Sequence, residues 1–407
     1  MPPATSATAR TTSGRGGIRR DVVAALAITT TISYGTLYYA FSALLDPMRT
    51  ALGISTTVAT GALTTASLVS AVLGVPVGRW LDRHGGHALM TVGAAIAAAS
   101  LLGWSRVQSP GQLYVVFVAL GVASAMVLYP PAFAVIVAVT APERRTTALL
   151  GVTLVAGFAS SIFIPLTGQL IHAYGWRHAL VVLAAVVAVA TIPLHAFVLR
   201  SAPPPAPRQS PTARPGRVLR DAGFWLLAVA FVLHSSALAV IGVHLVSYLT
   251  WLGHTPTTAA RLTGLLGLLS VTGRVTVTIL RRWLSITSIT AVIVCVQGAA
   301  LVLLPAAGHS IAGAAACLTA FGLGFGVASL AKPAIVLDRY GDHDYATIAG
   351  ILGTPITIAT ATAPLAAAAL ATTLGYTPLI RTAAATCILA ALALTAARYL
   401  PPPATGR

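Results

Sequence analysis

From Val22 to Leu45 the chain runs 24 residues without a charged side chain. A helix needs roughly 20 mostly apolar residues to cross the hydrocarbon core of a bilayer. Runs of this kind recur, and spans are predicted near 22–45, 58–77, 88–105, 112–138, 146–170 and 176–199, then 222–247, 258–280, 286–306, 310–336, 346–371 and 376–399. In lipid each backbone N–H and C=O must be satisfied within its own segment, so such runs fold as helices. The predicted class is an all-α polytopic membrane protein with twelve transmembrane helices. Short loops, two tails and one longer connector use the remaining residues, which leaves no room for a soluble domain.

Charge supports this class and orients it. Charged residues make up 8% of the chain, where a soluble domain carries about a quarter. The net charge of +17 would fit a nucleic-acid binder only if it were gathered on one wettable face. Here it is scattered between apolar runs, so no nucleic-acid partner is expected. With both termini in the cytoplasm, 18 of the 25 basic residues fall in tails and cytoplasmic connections, against Arg49, Arg106, Arg177, Arg261 and Arg381 outside. That asymmetry predicts a multi-pass protein of the cell inner (plasma) membrane with cytoplasmic termini. The first run exceeds the apolar core of a secretory signal, and it is read as a retained helix.

The connector at 200–221 is rich in Pro and Arg and reads as an extended linker. The expected organisation is therefore a tail over 1–21, a six-helix bundle over 22–199, the cytoplasmic linker 200–221, a second six-helix bundle over 222–399 and a tail over 400–407. A repeat of about 200 residues supports two related halves. Gly175-Trp176-Arg177-His178 aligns with Gly375-Tyr376-Thr377-Pro378, Gly151 with Gly350, Pro165 with Pro364, and Leu73-Gly74 with Thr272-Gly273. Parallel repeats of six spans, with a substrate site near the midplane between them, are a carrier architecture.

Gly78-Arg79-Trp80-Leu81-Asp82-Arg83-His84-Gly85 follows the second span and resembles the G-x-x-x-D-[RK]-x-G signature of the major facilitator superfamily. The resemblance implies the major facilitator fold, and it implies a conformational latch in which Gly78, Asp82, Arg83 and Gly85 hold the two halves together. Gly86 and His87 stand where that signature usually continues with basic residues. Arg144-Arg145-Thr146-Thr147-Ala148-Leu149-Leu150-Gly151, followed by Ala156-Gly157 and Gly175-Trp176-Arg177, is similar to monocarboxylate and oxalate/formate-type carriers. A basic helix start and small packing residues produce such a string without that kinship. Drug/proton antiporters commonly carry an Arg in the fourth span, where Phe117 stands here, and a Gly-Pro pair in the fifth, which is missing.

Ionisable residues inside a span are costly and mark functional sites by default. Arg274 lies seven residues, about 10 Å of helix, before the Arg281-Arg282 pair that ends the eighth span. It is expected to face a central cavity and bind an anionic group, as a planar guanidinium does well; the alternative is snorkelling to the surface. Monocarboxylate-type carriers have a functional Arg in this helix, and Arg274 is the residue that matches. Lys332, beside Pro333, which kinks the helix or frees a carbonyl, is a second anion contact, a snorkelling residue or a partner of Asp338. Tyr34, Tyr38 and Tyr39 in the first span and Tyr129 in the fourth could line the substrate route; since Tyr is also common in interfacial belts and packing, Tyr34, Tyr38 and Tyr129 are the candidates. His234 is the candidate proton-coupling group because imidazole titrates near neutrality; the alternative is a hydrogen-bonding packing residue.

All eight carboxylates fall in tails, connections or span ends, so a cation would find no counter-charge at mid-membrane. The expected activity is secondary active transport of a small organic solute, an anion such as a carboxylate, driven by a proton or counter-ion. Export of a neutral or amphipathic compound, and a non-transporting sensor with a carrier fold, are the competing readings. No catalytic residue, cofactor or metal is expected. The three cysteines are isolated, and neither a nucleophile elbow nor a phosphate-binding loop is present. The partners expected are a small-molecule substrate, a proton or counter-ion and the lipid bilayer, with the chain acting as a monomer.

Overall fold

A computed structural model of the chain describes residues 19–201, 215–342 and 344–401. Among them the regular structure is helical, with no strand. The first span is α1 (Arg20–Tyr34), a π-helical turn (Gly35–Tyr39) and α2 (Ala40–Leu52). The second and third are α3 (Thr56–His84) and α4 (His87–Ser105); the fourth is α5 (Pro110–Val127) joined to α6 (Tyr129–Val139). Next come α7 (Pro142–Ala156) and α8 (Ala159–Val186), continued by π turns to Val198. After the short α9 (Pro215–Val218) follow α10 (Ala222–Trp251), α11 (Pro256–Leu280), α12 (Ile286–Ala307), α13 (Ile311–Gly322), α14 (Val327–Tyr340), α15 (Tyr345–Leu374) and α16 (Tyr376–Tyr399).

Among the described residues, ten helical stretches are long and apolar enough to cross a membrane. One of them, Pro142–Val198, is 57 residues long and turns at Gly175, whose backbone (φ 78, ψ 161) is not helical, so it is two spans. The 25-residue α11, which carries Arg261 and Arg274, is another helix of spanning length. The architecture is consistent with twelve spans, each on a predicted run with its ends displaced by a few residues.

Polar side chains start several of these helices. Ser55, Ser109, Asp221, Thr255, Ser285 and Ser310 each accept a hydrogen bond from a backbone N–H in the first turn of the helix they precede. The repeat is visible in the backbone. Gly175 and Gly375 (φ 87, ψ 177) both turn the chain between the fifth and sixth spans of their halves, in a conformation that a side chain would strain. Gly53 and Gly253, again 200 residues apart, both have positive φ between the first and second spans of their halves. Within the second half, α12 and α10 pack against α16; within the first, α3 and α4 pack against α5. The halves meet mainly where α3 lies along α15.

The fourth span of each half is broken. In the first half Leu128 leaves helical geometry (φ −81, ψ −163), and Pro130 and Pro131 restart the helix without needing donors in its first turn. In the second half the turn Leu323–Gly326 separates α13 from α14. The break lies upstream of Pro333, and α14 runs through that proline.

Candidate functional site

At one end of the molecule the two halves are fastened by Asp82, near the end of α3. Its carboxylate accepts from the backbone N–H of Ala346 (3.1 Å) and of Thr347 (2.8 Å), and from the Thr347 hydroxyl (2.5 Å). These are first-turn donors of α15, whose own N-cap, Asp344, makes no side-chain cap. A carboxylate from one half therefore caps a helix of the other, where the helix dipole also favours a negative charge. Gly78 permits the approach, since a Cβ there would collide with the Ala346 and Thr347 backbone. Gly85 ends α3. Arg83 is exposed at the same end and forms no hydrogen bond or ion pair among the described residues. Gly86 and His87, which depart from the signature, serve packing: a Cβ on Gly86 would strike Val135, and His87 bonds the Ala196 carbonyl at 2.9 Å.

Two further contacts join the halves and were not anticipated from the sequence. Arg145 donates to Asp342 at 2.8 Å and to the Thr140 carbonyl at 3.1 Å. Arg281 donates to the Thr146 hydroxyl (2.5 Å) across the halves and pairs with Asp338 at 3.5 Å within its own. The expected option of a Lys332–Asp338 pair is therefore replaced by Arg281–Asp338.

Deeper in the molecule lies Arg274, 8% exposed. It does not run to the surface. Its Nε donates to the Gly326 carbonyl at 3.2 Å, at the break of the tenth span. Its guanidinium is flanked by two glycines from opposite halves: a Cβ on Gly157 would lie 2.5 Å from Nη1, and one on Gly326 would lie 2.9 Å from Nε. Nη1 is buried and has no protein acceptor. Arg274 forms no ion pair among the described residues, although a buried charge is normally paired. Gly157 lies six residues before Phe163, whose ring packs against Gly35 at the start of the π turn of the first span.

The structure brings two of the predicted tyrosines together. The Tyr34 and Tyr129 rings lie 4.6 Å apart, Tyr129 stacks on Phe133 at 5.0 Å, and Tyr39 joins Tyr34 at 6.4 Å. Tyr38 is 49% exposed and meets this group edge-on through Tyr39, at 5.3 Å. The π turn Gly35–Tyr39 rotates these side chains relative to α1, as π turns often do at functional sites. Tyr39, Gly157 and Gly326 were not singled out beforehand as site residues. Gly157 does belong to the carrier-like string, and that was the one available signal.

Lys332 lies six residues beyond Gly326 on α14, half-buried, and has no hydrogen-bond or ion-pair partner among the described residues. His234 stands apart. It is 1% exposed and bonds Gln297 at 2.8 Å, while Gln297 donates to the Phe321 carbonyl at 2.8 Å, so these contacts stay within the second half. The arrangement favours the packing alternative for this histidine.

Residues 26–354 match the model of one protein family, the Major Facilitator Superfamily. The chain belongs to the Major Facilitator Superfamily. This superfamily is one of transporters rather than enzymes, and the helical architecture above is its fold. A bacterial homologue of the iron transporter ferroportin, in an outward-facing state with soaked iron, is 16% identical with a TM-score of 0.77, over 94% of this chain and 100% of that one. The fucose:proton symporter FucP of E. coli is 14% identical with a TM-score of 0.73, over 92% and 98%. The human organic anion transporter MFSD10 is 16% identical with a TM-score of 0.70, over 92% and 99%. At these identities the likeness is one of fold. None of the curated proteins matches the sequence.

Proposed function

We propose that this superfamily member is a secondary active transporter that carries a small organic anion, of the carboxylate class, across the inner (plasma) membrane by alternating access. A proton or counter-ion gradient drives it, both termini are cytoplasmic, and the site lies between the halves at Arg274. One observation carries the reading: a guanidinium nine-tenths buried between the halves, with one amino group bonded to no protein acceptor. A buried charge left in this way is stabilised by a mobile anion that enters and leaves. The absence of any mid-span carboxylate supports the same choice of charge. Lys332, also unpaired, is the second basic group on the route.

The positive-inside asymmetry puts the Asp82 end in the cytoplasm, which makes the present state outward-facing. The ferroportin homologue was captured in that state too. The monocarboxylate-type branch is part of the same proposal, resting on the Arg144–Gly157 string and on Arg274.

The test is uptake and counterflow of a carboxylate panel in proteoliposomes at two pH values, with Arg274→Ala and Arg274→Lys beside the parent. Losing a charged hydrogen bond of about 1.5–3 kcal/mol lowers affinity roughly 10- to 150-fold in the alanine variant. The lysine variant, which lacks the fork, recovers part of it. Unchanged carboxylate binding by a folded Arg274→Ala protein overturns the assignment.

A further inference from the structure

The surroundings of Arg274 narrow the anion further. We infer that the substrate is a planar aromatic monocarboxylate, its carboxylate on Arg274 and its ring against the tyrosine wall of the first and fourth spans. This rests on the anion-transport reading above.

The first observation is the wall. Tyr34, Tyr129 and Phe133 form a continuous series of rings at 4.6 and 5.0 Å, extended by Tyr39 at 6.4 Å. The three tyrosines retain accessible surface although they lie deep in the bundle, so the wall is not closed off by packing. Aromatic faces prefer another ring at 4.5–7 Å, offset or edge-on. The second observation is that Arg274 meets the first half at Gly157, six residues before Phe163, whose ring packs against Gly35 at the start of the π turn that carries Tyr39. A cluster of tyrosines alone is also a good cage for a cation. A guanidinium beside it, with a buried, unpartnered amino group, reverses that preference and calls for an anion.

The third observation is what the chain lacks. It has no asparagine, its buried Gln297 is engaged by His234 and Phe321, and it has no mid-span acid. A polyhydroxylated solute needs several such acceptors and donors to replace its water. A short aliphatic dicarboxylate needs a second cation close to the first. Lys332 is six residues along α14 from Gly326, a rise of about 9 Å, and is displaced toward the latch end. One carboxylate and one ring match the groups present.

The experiment compares benzoate with cyclohexanecarboxylate, equal in charge and similar in size, by calorimetric binding to the purified full chain and by counterflow in proteoliposomes. Benzoate is expected to bind about tenfold more tightly than its saturated analogue, from stacking on two or three rings. Tyr129→Leu is expected to reduce that ratio to about threefold or less while cyclohexanecarboxylate still binds, and Tyr129→Phe is expected to keep it. Equal affinity for the pair, with both lost in Arg274→Ala, overturns the aromatic assignment and leaves the anion reading standing. Tighter binding of succinate than of benzoate likewise overturns it. No binding of any carboxylate overturns both.

Discussion

In the proposed alternating-access cycle, Asp82 is the single side chain expected to weigh most on the balance between the two conformations. Its carboxylate accepts two backbone N–H donors, at the N2 and N3 positions of α15, and one hydroxyl from the same helix. Hydrogen bonds to a charged group are worth about 1.5–3 kcal/mol each, and the helix dipole adds about 0.3–1 kcal/mol. The three bonds share one carboxylate and do not add fully, so Asp82→Ala removes about 2–4 kcal/mol from the latched state. A latched population of 99:1 reaches parity on losing about 2.7 kcal/mol, within that range. The assay is double electron–electron resonance between spin labels at Ala88→Cys and Arg282→Cys, exposed positions on opposite halves at the latch end, with Cys295, Cys317 and Cys387 replaced. The parent is expected to give one short distance. Asp82→Ala adds a longer one, and Asp82→Asn, which keeps an acceptor, shifts less. If Asp82→Ala matches the parent even when Arg145→Ala is added to remove the Asp342 contact, the carboxylate does not hold the halves together.

Gly78→Val brings a side chain into the α15 backbone and is expected to abolish latching more completely than Asp82→Asn; the same distance measurement reads it. His234→Ala strands Gln297 in the packed interior and lowers stability by about 1–3 kcal/mol, a fall in melting temperature with an unchanged pH profile of uptake. A flattened pH profile would return the proton role to this histidine. Asp221, at the start of α10, is partly buried, which pushes its pKa up. Hydrogen bonds from Arg339, Tyr340 and the Gly223 N–H outweigh that burial and hold it below the ordinary carboxylate value. Its contribution to stability is therefore complete above the ordinary carboxylate pKa and is lost as pH falls through the lower folded value. Melting curves through the acid range are expected to fall more steeply for the parent than for Asp221→Asn.

What the sequence made legible follows from which interactions are local. Crossing a bilayer is a property of a single segment, so twenty apolar residues announce a span wherever it packs, and the predicted runs coincide with helices. The latch signature was legible for a related reason: Gly78, Asp82 and Gly85 lie within eight residues at the end of α3, although the α15 donors that receive Asp82 are more than 260 positions away in the chain. Arg145–Asp342 and Arg281–Thr146 were illegible because each joins two residues that are ordinary members of basic or acidic span ends until the halves meet. Tyr39 could line the route like its neighbours Tyr34 and Tyr38, but its place beside Tyr34 depends on the π turn at Gly35–Tyr39, which shifts the side-chain register and which only the folded helix shows. Helices that are apolar on every side carry no stripe from which their rotation can be read. For that reason Gly157 and Gly326 looked like two more small residues in a glycine-rich chain. They matter because their missing side chains leave room for the Arg274 guanidinium, and a methyl group at Gly157 would meet Nη1, the nitrogen that no protein acceptor satisfies. Arg274 was conspicuous in sequence as a charge in a place where charge is costly; the two glycines are the local reason the bundle can hold it there.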